Sequence, residues 1–137
     1  MINDVQLSIL ENLCNLNFSV FSVGVTLLTV LMSFIISKKD ELKVYNSLYK
    51  HNDREVTLKG KITGARSYIF MLRRFTMHVI IIIFSSILTY SVYWLKMITE
   101  PTIHMYYTVV TLSIGTILYI VFLLVCVTVF FLRDTKV

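Results

Sequence analysis

The chain has 137 residues, of which 56% are hydrophobic and only 15% charged, with a formal net charge of +5. Soluble domains lie nearer about 45–50% apolar and about 25% charged, so the mean hydropathy of +0.75 points to lipid as the main solvent. The length excludes a membrane segment joined to a sizeable soluble domain, and the expected fold is a single all-α membrane domain with three transmembrane helices.

Residues 1–17 place Val5, Ile9, Leu13 and Leu16 at helical spacing, with Asp4, Glu11 and Asn12 between them. This pattern suits an amphipathic helix at the membrane interface or an extra turn on the first span. No Lys or Arg precedes Lys38, so the start does not have the basic region of a cleaved signal peptide.

The first span, 18–37, is twenty residues without a charge. At about 1.5 Å per residue it reaches about 30 Å, the thickness of a bilayer's hydrocarbon core. Within it Ser19, Ser22, Thr26, Thr29 and Ser33 follow at alternating steps of three and four, which places all five hydroxyls on one helix face. Small residues let membrane helices approach closely, and Ser and Thr bond back to the preceding turn. The row therefore has two readings. It is a helix-packing face, or it lines a narrow wet path in a homo-oligomer, since three helices from one copy enclose no pore.

Residues 38–76 form a basic segment. Leu42, Tyr45, Leu48 and Tyr49 alternate at helical spacing with Lys39, Lys43, Asn46 and Lys50, so the first helix is expected to continue past the span for about three turns. His51, Asn52 and Asp53 are the expected stop. Val56, Leu58 and Ile62 alternate with Thr57, Lys59 and Lys61 as a strand would, but a lone strand has no partner, and Gly60 and Gly64 also suit a turn or a broken helix. Ser67 to Arg74 leads helically into the second span, 77–95.

An outer loop, 96–104, contains Pro101 and is short enough to make the second and third spans an antiparallel hairpin. The third span, 105–132, exceeds a bilayer's need and must tilt or protrude. Residues 133–137 close the chain. Cys14 and Cys126 fall near opposite ends of this arrangement, too far apart for a disulfide, which needs Cα atoms within about 7 Å.

Ten of the thirteen Lys and Arg residues lie between 38 and 74, and Arg133 and Lys136 end the chain. The positive-inside rule then expects the N-terminus outside and the C-terminus in the cytoplasm of an inner membrane. Tyr90, Tyr93, Trp94, Tyr106 and Tyr107 form the matching aromatic belt at the outer surface.

No Asp, Glu, Lys or Arg lies inside a span. Such charges mark proton relays and ion-coupled transport, so a pump is not expected. The three histidines are scattered and no nucleophile has a nearby acid–base partner. No catalytic residue, metal or cofactor is expected. Lys38, Lys39, Lys43, Lys59, Lys61, Arg66, Arg73 and Arg74 are the candidate docking residues, for anionic lipid at about 1 kcal/mol per charge or for a cytoplasmic protein. Direct nucleic-acid binding is not expected, because Asp40, Glu41, Asp53 and Glu55 are mixed among them. Ser85, Ser86 and Thr89, then Thr108, Thr111 and Gly115, are weaker small-residue faces for assembly contacts.

The junction LMSFIISKKDELKVYNSLY, Leu31 to Tyr49, joins an apolar helix ending in Ser to a charged helix with aliphatic and Tyr residues every three or four positions. It resembles the small multi-span membrane proteins of bacterial phage-defence systems, among them the membrane component of the lambda Rex exclusion system and, more loosely, that of the Kiwa system. The final FFLRDTKV is similar to the charged tail after their last span. Those families usually have four spans, where this chain has three. The resemblance implies a membrane-bound effector or sensor acting during phage infection, sometimes by depolarising the inner membrane. The expected function is thus an oligomeric inner-membrane effector or sensor that alters permeability. A non-conducting scaffold for a cytoplasmic partner, or an immunity protein against a pore-forming bacteriocin, are the alternatives.

Overall fold

A computed structural model describes residues 4–51, 56–99 and 102–134. Three α-helices account for them: α1 (Asp4–His51), α2 (Val56–Thr99) and α3 (Ile103–Asp134). Each contains a stretch long and apolar enough to cross a membrane, and no strand occurs among the described residues. The protein is an all-α, multi-pass membrane protein.

The alternation at Val56, Leu58 and Ile62 resolves as helix: Leu58 and Ile62, one turn apart, are both buried, while Val56 is exposed. Gly60 and Gly64 neither turn nor break α2. A mid-helix glycine costs up to about 1 kcal/mol relative to Ala, which a 44-residue helix tolerates. The expected stop at Asn52 and Asp53 lies outside the described residues, as do Arg54 and Glu55, whereas His51 is still helical. The N-terminal segment is not a separate interfacial helix. It is the start of α1, continuous with the span. At 48 residues α1 is about 72 Å long, more than twice the hydrocarbon thickness, so it must protrude or tilt.

The chain divides into two compact units. The first holds residues 1–23 and 81–137, the second 24–80.

In the first unit three helix segments share a core of Leu10, Cys14, Tyr93, Met105 and Val109, with Tyr90, Val92 and Tyr106 packed against it. Burial recurs along α1 at Leu10, Cys14 and Asn17, and along α3 at Met105, Val109, Ser113, Thr116 and Leu123. The belt residues come together here. The rings of Phe18 and Tyr90 lie 5.7 Å apart, those of Tyr93 and Trp94 6.0 Å, and those of Tyr106 and Tyr107 5.6 Å. Cys14 is buried, Cys126 is exposed, and both are free thiols.

In the second unit the far part of α1 and the near part of α2 form an antiparallel pair. Leu31 and Ile35 of α1 are buried, as are Leu58, Ile62, Ile69, Leu72, Thr76 and Val79 of α2. With the half-buried Ala65, the α2 positions advance by alternating steps of four and three. That is the 3.5-residue repeat of a left-handed coiled coil. Lipid supplies no hydrophobic drive between helices, so this close, regular interdigitation is what holds the pair together where it is immersed.

Candidate functional site

Three polar features stand out, one on an exposed helix face, one buried between helices and one in an open groove.

The first is the hydroxyl row on α1. Ser19, Ser22, Thr26, Thr29 and Ser33 are all exposed. They trail the buried or half-buried positions Asn17, Phe21, Gly24, Leu28 and Leu31 by one or two residues, and helix geometry puts them on the opposite face. Ser19 Oγ donates to the Asn15 carbonyl at 3.0 Å, Thr29 Oγ1 to the Val25 carbonyl at 3.0 Å, and Ser33 Oγ to the Thr29 carbonyl at 3.1 Å. This back-bonding satisfies the hydroxyl proton and leaves a narrow, oxygen-bearing face.

The second is a polar layer inside the first unit. Asn17, Ser86, Thr89, Ser113 and Thr116 are all buried. Asn17 Nδ2 donates to the Leu13 carbonyl and across to Ser113 Oγ, both at 2.8 Å. Ser85 Oγ and Thr116 Oγ1 share a 2.6 Å hydrogen bond. Thr89 and Thr116 also bond back to the Ser85 and Leu112 carbonyls. The expectation of Ser85, Ser86 and Thr89 as assembly contacts is corrected here. Ser86 and Thr89 have no exposed surface and belong to the chain's own core, and Ser85 is half-buried in the bond to Thr116. Thr108, Thr111 and Gly115 are exposed and stay available to another helix.

The third is an open groove of about 530 Å³ in the second unit, lined by Lys38, Glu41 and Tyr45 of α1 and Lys61, Gly64, Ala65 and Tyr68 of α2. Glu41 organises it. Lys38 Nζ donates to Glu41 Oε2, and the Tyr45 hydroxyl donates to Glu41 Oε1 at 2.7 Å. Those two donors, Lys38 first, hold the Glu41 carboxyl below the usual carboxylate range. Donation to Glu41 in turn raises both Lys38 and Tyr45 above their ordinary values. Each lysine also faces a ring on the other helix, Lys38 Nζ 5.8 Å from the Tyr68 centroid and Lys61 Nζ 5.9 Å from that of Tyr45. Spacing alone could not have found this groove, because it depends on which turn of α1 meets which turn of α2.

The remaining basic candidates, Lys39, Lys43, Lys59, Arg66, Arg73 and Arg74, are exposed on the same two helices. Lys43 pairs with Asp40 at 2.8 Å, and the Arg74 guanidinium lies 5.8 Å from the Phe70 ring. Among the described residues no three His, Cys, Asp or Glu side chains come together in a way that would hold a metal ion. No protein-family model, curated protein or solved structure matches this chain.

Proposed function

We propose that this chain is an inner-membrane protein that assembles with copies of itself and alters membrane permeability as an effector or sensor. The observation that carries the reading is the exposure of Ser19, Ser22, Thr26, Thr29 and Ser33 on the face of α1 turned away from its buried positions. A hydroxyl row gains little from acyl chains, whereas a second helix or a file of water can use it. Closure around a symmetry axis turns five such positions into a narrow polar lining, with Thr108, Thr111 and Gly115 of α3 offering a second small-residue contact. The orientation that the lysine and arginine bias favours puts the N-terminus outside and the basic groove in the cytoplasm. Phage defence is the setting implied by the Leu31–Tyr49 resemblance.

Dye-reported membrane potential in expressing cells, with and without phage, tests the proposal. Depolarisation is expected, and it should weaken in a Thr26→Val, Thr29→Val variant that still assembles. A flat potential in both conditions would remove the effector role.

A second reading is favoured by Val44, Leu48 and Val56, which are 56%, 50% and 85% exposed beyond the charged cluster at 38–43. Apolar residues on a stretch expected to face water suit a scaffold that recruits a soluble protein. Its mark is a co-purifying partner that is lost on Val44→Lys, Leu48→Lys substitution.

A further inference from the structure

The groove between α1 and α2 lies at a definable depth. Lys38 is opposite Tyr68 and Tyr45 opposite Lys61, seven residues further along each antiparallel helix. On that register Arg73 is level with Ser33, so the uncharged run of α1 continues about four residues, or about 6 Å, past Arg73 of α2. The exposed Phe34 and Ile36 of α1 and Phe70 of α2 occupy this band with Arg73 at its inner edge, and Arg74 lies one residue deeper. Arginine stems snorkel, reaching the polar layer from a backbone position slightly inside it. The hydrocarbon boundary on this unit therefore falls between the level of Arg73 and that of Ser37. The headgroup layer outside it is about 5–7 Å thick, which sets Lys38 and Tyr68 among the lipid phosphates.

The chemistry of the lining fits what is found at that depth. Glu41 is neutralised by Lys38 and capped by the Tyr45 hydroxyl. Of the three charged groups that line the groove, Lys61 is then the unbalanced one, and the groove carries one net positive charge. Tyr45 and Tyr68 supply ring faces beside the two ammonium groups. At Gly64 a Cβ would meet no atom within 4 Å, so the wall between them is open. We infer that this groove is a binding site for the headgroup of a monoanionic phospholipid, with the phosphodiester at the level of Lys38 and Tyr68, the polar headgroup reaching outward past Gly64 toward the ammonium of Lys61, and the acyl chains running down past Phe70 and Phe34. The site stands on the register of α1 and α2 and is independent of whether the protein conducts ions.

The test is native mass spectrometry of the detergent-purified full chain given equal phosphatidylglycerol and phosphatidylcholine. The expected result is one retained phosphatidylglycerol, preferred over phosphatidylcholine about fivefold or more, the worth of a single lysine beside an anionic lipid. Lys61→Gln removes the charge, and Gly64→Leu fills the groove with its charges unchanged and the helix strengthened. Each should bring the preference close to unity at wild-type helicity, while Lys59→Gln and Arg66→Gln, equally basic but outside the lining, should leave it intact. Equal loss in Lys59→Gln would show diffuse attraction and overturn the site. So would a preference that survives both Lys61→Gln and Gly64→Leu, or one abolished by inorganic phosphate alone, which would make it a site for the free anion.

Discussion

The hydrogen bond from Asn17 to Ser113 is the most exacting test of the three-helix unit, because it joins residues 96 apart in the chain through a single amide. Asn17 is 3% exposed and Ser113 1%, so water does not replace either partner. Ser113→Ala leaves the amide its bond to the Leu13 carbonyl but strands its second N–H, at a cost of about 1–2 kcal/mol. Asn17→Ala removes the donor and its packing together and should cost somewhat more, about 1–3 kcal/mol. The double variant isolates the bond. Interhelical hydrogen bonds in membranes couple by about 0.6 kcal/mol on average and about 1.7 at most, and the buried position places this pair in the upper half of that range. Reversible unfolding in mixed micelles measures all three variants, with Ser19→Ala as the exposed, locally bonded control, expected within about 0.5 kcal/mol of wild type. A coupling below about 0.3 kcal/mol, the usual scatter of independent sites, would mean that α1 and α3 do not meet through this layer.

Ser86 behaves in the opposite sense, since its buried Oγ has no hydrogen-bond partner among the described residues. Ser86→Ala removes that hydroxyl and should stabilise the protein by up to about 1 kcal/mol in the same assay; a loss of stability would show that the hydroxyl is bonded. In the groove, Glu41 lies below its ordinary value of 4.5 and Tyr45 above its ordinary 10.0. The contribution of Glu41 is therefore present above the carboxylate range and lost as pH falls through its lowered value. Those of Lys38 and Tyr45 are present at neutral pH and lost as pH rises through their raised values. Phenolate absorbance, compared with Tyr45→Phe, should show Tyr45 ionising late and returning toward 10.0 in Glu41→Gln; an unchanged titration would break the Glu41–Tyr45 link. Gly60→Ala and Gly64→Ala each place a methyl where nothing lies within 4 Å and should stabilise α2 by about 0.5–1 kcal/mol. Destabilisation by either would reveal another chain against that face.

The chain's own pattern was enough to specify its solvent and the three helices that cross it. Charge-free runs of bilayer length at 18–37, 77–95 and 105–132 select helix in lipid, because a helix satisfies its backbone polar groups within the run, whereas the strands of a closed barrel are shorter and alternate in polarity. The hydroxyl row on α1 was legible too, since side chains on one helix face are set by sequence spacing alone. What spacing could not give is which face meets which neighbour. Small polar residues look the same along a sequence whether they turn inward or outward. Ser86 and Thr89 turned inward to the core, whereas Ser22 and Thr26 turned outward. The 54–74 segment reads equally as strand, loop or helix until Leu58, Ile62 and Ile69 find a surface to bury against. The groove depends wholly on tertiary structure: Lys61 meets Tyr45, and Lys38 meets Tyr68, only when two long helices pack antiparallel in one register. A slip of a single turn would separate those pairs without changing any local preference, so packing between the helices, and not the residues of either one, decides where that site forms.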